Sequence, residues 1–221
     1  MKQPTQRYFS FVDLMGLEQR YRAAFVNSLT GFKSVSLIGT LNKERQTNLA
    51  IFNSLIHIGA NPPYIGFISR PDSVDRHTLS NIMETGYYTI NHINEDIYKQ
   101  AHQTSARYNR EISEFDATNL TAEYKLEFKA PFVKESFIQL GVQFKERIHI
   151  TTNNTILVIG QVNHVYFPND CLCNDGFLDI EKAKTITCSG LDSYHKTIRL
   201  ERLNYAKPNK ETSQAKLDYI V

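Results

Sequence analysis

Ile138-Gln-Leu-Gly-Val-Gln-Phe-Lys-Glu-Arg-Ile-His-Ile150 is followed by Thr151-Thr-Asn-Asn-Thr155, and the chain then runs apolar again from Ile156 to Phe167. In the first run Ile138, Leu140, Val142, Phe144, Ile148 and Ile150 alternate with Gln139, Gly141, Gln143, Lys145, Arg147 and His149, a period of two that makes a strand. The threonines and asparagines between the runs are turn chemistry. The second run returns as an equally long strand, with Gly160 expected as a bend or bulge. Long antiparallel strands of this kind build barrels and sandwiches rather than parallel α/β sheets. The fold class is therefore mainly β with a few helices.

Upstream, Lys33 to Asn91 reads as strand, strand, strand, short helix, strand. Val35 to Thr40 is a buried strand, and Asn42 to Gln46 suits a hairpin loop. Leu49 to Ile58 is nearly all apolar or small, as in a strand buried on both faces, broken only by Asn53, Ser54 and His57. Polar groups inside such a run need partners, because an unpaired one costs about 1–3 kcal/mol. Pro62-Pro63 forbids helix and forces an extended turn, and Tyr64 to Ser69 is β-prone. A helix is expected from about Arg76, capped by Ser73 or Asp75, to Gly86. Tyr87 to Ile93 is a further strand.

At the N-terminus, residues 1–16 read as an extended arm. Tyr21, Phe25 and Leu29 recur at helical spacing ahead of Gly31, so a helix is expected from Leu17 to Leu29. Residues 94–121 have helical propensity from Glu95 to His102 and then turn polar. Such a segment is a lid over a site or a solvated connection, and periodicity alone favours the connection. Gly190 to His195 is expected as a loop carrying an aromatic, and about 205–221 as a tail. With no internal repeat or low-complexity linker, residues 1–221 form one domain.

The 221 residues carry a net charge of +2, with 41% hydrophobic and 22% charged residues, an ordinary globular balance. That charge is too mild for a nucleic-acid or membrane-surface partner, which needs clustered lysine and arginine. No run approaches the roughly 20 apolar residues of a membrane span, and no signal-peptide pattern follows Met1, so a soluble, reducing, cytoplasmic setting is expected. Three cysteines give no disulfide framework. Cys171 and Cys173 lack the further ligands that zinc needs and, with Cys188, read as ordinary thiols, so no metal is expected.

The residues with chemical potential cluster between positions 47 and 78. Arg70, Arg76 and Thr78 would suit a phosphate at a helix start. Asn48, Leu49, Ala50, Asn53 and Ser54 would allow a planar ligand to approach a strand closely. Equally, Arg76 with Asp75 makes a surface ion pair, and Asn53 with Ser54 satisfies a bulge. Spacing leaves both open, with no dinucleotide fingerprint or phosphate loop present.

The chain resembles the flavin reductase-like family from about Phe25 to Tyr194. The pieces that carry the resemblance run in order: Asn27-Ser-Leu-Thr-Gly-Phe-Lys33, Thr47-Asn-Leu-Ala-Ile-Phe-Asn-Ser54, Asn61-Pro-Pro63, Ser69-Arg-Pro71, Arg76-His-Thr78 and Gly86-Tyr-Tyr-Thr-Ile-Asn91. Thr104-Ser-Ala106, Ser113-Glu-Phe115, Ala130-Pro131 and Gly160-Gln-Val162 complete them. The resemblance implies an FMN-binding split β-barrel, a homodimer, and hydride transfer from NADH or NADPH to the flavin with electrons passed to a small-molecule or protein acceptor. It implies that Thr47 belongs to the cofactor-binding set, that Asn48, Leu49 and Ala50 line the ring, and that Asn53 and Ser54 reach its edge or the ribityl chain. Arg70, Arg76 and Thr78 would hold the phosphate, and Thr104 and Ser105 would close over the cofactor. Two positions depart from the family pattern: Asn53 stands where relatives carry Ser or Thr, and His77 where a small acidic residue is expected.

His57, His92 and His102 are open as contacts to substrate or nicotinamide, against the ordinary alternative of structural histidines. Two other functions compete with the enzyme. One is an FMN-binding electron carrier or redox-responsive protein without turnover. The other is a flavin-free barrel that binds nucleic acid, for which Lys145 and Arg147 are the only basis.

Overall fold

The computed structural model describes residues 5–71 and 76–220; the Ser73 or Asp75 helix cap lies outside them. The elements run α1 (Phe11–Gly16), α2 (Gln19–Ser28), β1 (Lys33–Ser34), β2 (Ser36–Leu41), β3 (Thr47–Phe52), β4 (Leu55–Ala60), β5 (Pro63–Ser69), α3 (His77–Thr85) and β6 (Tyr87–His92). They continue with α4 (Tyr98–Gln103), α5 (Glu114–Thr118), β7 (Ala122–Glu123), β8 (Phe132–Val133), β9 (Gln139–Ile150), β10 (Thr155–Tyr166), β11 (Thr187–Ser189) and β12 (Ser193–His195). The alternating hairpin is β9–β10. Its register shifts at Ile159/Gly160, where the bulge was expected. A Cβ on Gly160 would lie 2.3 Å from the Tyr88 hydroxyl, so only glycine fits that approach.

Seven strands pair antiparallel in the order β3-β2-β6-β9-β10-β5-β4. The two outermost strands, β3 and β4, are joined by Asn53 and Ser54 alone. Laid flat, the sheet would separate them by about 29 Å, whereas that connection spans at most about 11 Å. The sheet must therefore curl until its ends meet. Because β3 and β4 do not pair with each other, the barrel stays split at that seam.

This corrects the expectation of one strand from Leu49 to Ile58. The apolar run is two strands, and the second faces outward, with Ile56 39% and Ile58 40% exposed. Residues 1–16 are not wholly extended either. Ser10 and Asp13 form a reciprocal capping box that starts α1. Ser193–His195 is a strand rather than loop, pairing with β11.

Period two on the barrel strands feeds two cores. Ile38, Phe67, Tyr88, Ile90, Val142 and Val158 fill the interior with Ile82 of α3. Leu37, Leu49 and Ile93 turn outward to pack under α4 and α5 with Ile97, Ala101 and Phe115. Helix α3 ends as expected, at Gly86 in the left-handed region with φ 75°.

Candidate functional site

A cavity of about 1080 Å³ is lined by residues from both faces of β3, from Asn48 through Ala50, Ile51 and Phe52 to Asn53 and Ser54. It therefore follows the free edge of that strand, beside the seam. One end abuts the start of α3, with Arg70, Arg76, His77 and Thr78 in its lining. The N-cap residue Arg76 makes no side-chain cap. The Asn48 amide donates to Thr78 Oγ1 at 3.1 Å and to Thr40 Oγ1 at 3.4 Å, and Asn81 donates to the same Thr40 oxygen at 3.1 Å. This buried network fixes the start of α3 against β2 and β3.

A further wall is residues 104–111, between α4 and α5, whose Arg110 donates to Asn81 Oδ1 of α3 at 3.4 Å. The segment that periodicity assigned to a solvated connection is thus a cavity wall, including Thr104 and Ser105. Thr104 is buried and donates to the Ala101 carbonyl at 2.8 Å, whereas Ser105 is exposed.

Nine of the eleven site residues expected from sequence line this one cavity: Asn48, Ala50, Asn53, Ser54, Arg70, Arg76, Thr78, Thr104 and Ser105. Thr47 and Leu49 do not, because the start of α5 occupies their stretch of the strand edge. Thr47 Oγ1 lies 2.6 Å from Ser113 Oγ, and the Leu49 N–H donates to the Glu114 carboxylate at 2.9 Å. The Leu49 side chain is wholly buried in the outer core. Asn53 and Ser54 also brace the corner. The Asn53 amide donates to the Gly190 carbonyl, while Ser54 Oγ accepts from the Ile68 N–H and donates to the Ile68 carbonyl.

Glu114, Tyr108, Cys188, Leu191 and Tyr194 also line the cavity, and sequence reasoning did not assign them to it. Burial pushes the Glu114 carboxyl up, against the opposing pull of the Leu49 N–H. Of the three histidines left open, only His102 lines the cavity, its Nδ1 2.8 Å from the Tyr194 hydroxyl. His57 is exposed on β4. His92 is not in the cavity lining; it sits 3.2 Å from Thr185 Oγ1, and burial pushes its imidazole down to about 4.

A family model, the flavin reductase like domain, matches residues 32–178. The crystal structure of a candidate flavin reductase with a split barrel domain from Shewanella frigidimarina is 51% identical, covers 91% of this chain and 100% of that one, and has a TM-score of 0.88. Nitrilotriacetate monooxygenase component B from Bacillus cereus shares the fold at 19% identity and TM-score 0.77, covering 89% of this chain and 98% of that one. Flavoredoxin of Desulfovibrio vulgaris does so at 20% identity and TM-score 0.66, covering 81% and 92%. An uncharacterized protein of Aquifex aeolicus is 24% identical over 140 residues, 57% of this chain and 71% of that one. With two thirds of its length matched by the family model and 51% identity to the Shewanella protein over 91% of its length, this chain belongs to the flavin reductase-like family and has its split-barrel fold.

Proposed function

We propose that the chain is an FMN-binding oxidoreductase that takes hydride from NADH or NADPH and delivers electrons to a further acceptor. The observation that carries this reading is the meeting of Arg70, Arg76 and Thr78 with the start of α3 at one end of a cavity that follows a free strand edge. A helix start with guanidinium groups and a hydroxyl matches a dianionic phosphate. The unpaired edge beyond Leu49 offers backbone groups to the polar rim of a planar ring. At about 1080 Å³ the cavity matches the upper end of small-molecule sites, roughly 1,000 Å³, with space for a second reactant.

FMN, when bound, supplies the hydride acceptance and electron delivery, chemistry that needs no protein nucleophile. The protein's part is to bind, orient and exclude water. Arg70 and Arg76 would neutralise the phosphate, and Thr78 would add a hydroxyl that the Asn48 amide already orients. Glu114 holds the strand edge at Leu49, and residues 104–111 would cover one side of the bound cofactor.

A homodimer is part of the same proposal. Helices α1 and α2 bury none of their residues, and Phe11 and Val12 are 76% and 77% exposed. Large unpartnered apolar surface of this kind marks an interface, and light scattering should return twice the 25.4 kDa chain mass.

An absorbance spectrum tests the function. The protein is expected to be yellow, or to turn yellow with FMN, and to bleach anaerobically with NADH or NADPH. A colourless protein that ignores added FMN contradicts the reading. Bound FMN that bleaches with dithionite but with neither nicotinamide makes the protein a carrier instead.

A further inference from the structure

The cavity has two chemically different ends. Asn48 and Asn53 are five residues apart, roughly 16 Å of extended chain. Thr78 and the start of α3 meet the first, whereas Val35, Phe52, Cys188, Leu191 and Asp192 line the region of the second, where Asn53 bonds to Gly190. At this second end stands a hydrogen-bonded pair of ring side chains that the proposed function leaves unused. His102 Nδ1 and the Tyr194 hydroxyl are 2.8 Å apart, and their rings meet edge to face with centroids 5.7 Å apart. Tyr98 packs against Tyr194 at 5.7 Å as well. The phenol is thus held in place by two rings from α4, and its hydrogen-bond partner His102 is exposed to water.

We propose that Tyr194, recharged by His102, is the acid that protonates an organic carbonyl acceptor of the quinone class reduced at this end of the cavity. The proposal rests on the FMN reading, which supplies the electrons. Reducing a quinone to a hydroquinone consumes two electrons and two protons. A hydride equivalent brings both electrons and one proton. The second proton arrives as the Tyr194 O–H bond breaks and an O–H bond forms on the acceptor oxygen. The phenolate recovers its proton from Nδ1–H of His102 as the other ring nitrogen takes one from solvent. Burial pushes the Tyr194 hydroxyl up to about 12, and the nearby Cys188 and Asp192 push the same way, so the proton is in place at neutral pH. Phe52 and Leu191 offer this end apolar surface and Asp192 adds a negative charge, a combination that favours a neutral ring over an anionic metal chelate.

The test compares turnover of the FMN-loaded protein with benzoquinone and with ferricyanide, which takes one electron and no proton. Tyr194→Phe keeps the ring contacts and removes the acid. The benzoquinone-to-ferricyanide ratio should fall about 10-fold or more, in line with general-acid contributions, and His102→Gln should lower it by a smaller factor. An unchanged ratio in Tyr194→Phe overturns the proposal. A yellow, nicotinamide-bleached protein with that unchanged ratio sinks only the acid, whereas a protein that never binds FMN sinks the reading beneath it. A second readout needs no turnover. In flavin-free protein, hydroquinone should shift the His102 imidazole resonances, and Tyr194→Phe should abolish the shift; no shift in the wild-type protein counts against the proposal.

Discussion

The two walls of the cavity are built differently. On the β3 and α3 side, Thr40, Asn48, Thr78 and Asn81 are all buried and hydrogen-bonded to one another. On the other, Ser105, Ala106, Arg107 and Asn109 are exposed. The first wall keeps its shape without a ligand, because moving any member leaves a buried polar group unpaired. The second can adjust at lower cost, because water replaces any partner its exposed groups lose, while Arg110 ties it to Asn81 and Glu84 of α3. A preorganised wall suits a resident cofactor, and an adaptable one suits reactants that come and go.

The largest effect expected from breaking that contrast lies in the barrel behind the rigid wall. A Cβ on Gly39 would sit 2.3 Å from the Pro131 carbonyl oxygen and 2.7 Å from Thr89 Oγ1. Gly39→Ala should cost about 3 kcal/mol in denaturant unfolding, as overpacking of a tight core does. Next comes pH. Burial holds His92 down at about 4 in the folded chain, against an ordinary 6.5. The unfolded chain therefore binds the extra proton below pH 6.5, and stability is present above that value and lost as pH falls toward 4. A loss of up to about 2 kcal/mol is expected by pH 5, with a flatter profile in His92→Asn.

Removing a member of the polar network comes third. Asn81→Ala takes a donor from Thr40 and should cost about 1–2 kcal/mol. Ligand binding then sharpens the contrast directly: Arg70→Ala should weaken FMN about 10-fold, the size of a charge-assisted contact, while Arg107→Ala on the adaptable wall should change it less than about twofold. The smallest effect belongs to Ser105→Ala, within about 0.5 kcal/mol of the wild-type stability.

Much of this was legible in the sequence where local pattern and tertiary structure agree. The β9–β10 hairpin announces itself through period two, and α3 through its apolar spacing and Gly86. The corner between β3 and β4 was not legible. Asn53 and Ser54 carry no glycine or proline signal, and both flanking strands are apolar, so two strands at opposite ends of a sheet read as one. Helix α1 escaped because it buries nothing and so shows no apolar period; only the Ser10 and Asp13 box marks it. In the site, Asn48 and Thr78 come from one local run of the chain. Tyr194 and Glu114 arrive from far along it, through β12 and α5, and no local spacing could announce them.

The central claim is that the start of α3, with its arginines, recognises a phosphate. Titrating the flavin-free protein with FMN and with riboflavin, which lacks only the phosphate, tests it most directly. FMN should bind at least about 10-fold more tightly, as charge-assisted phosphate contacts require, and Arg76→Ala should remove most of that advantage. Equal affinities for the two flavins, or an advantage untouched by Arg76→Ala, would contradict the account.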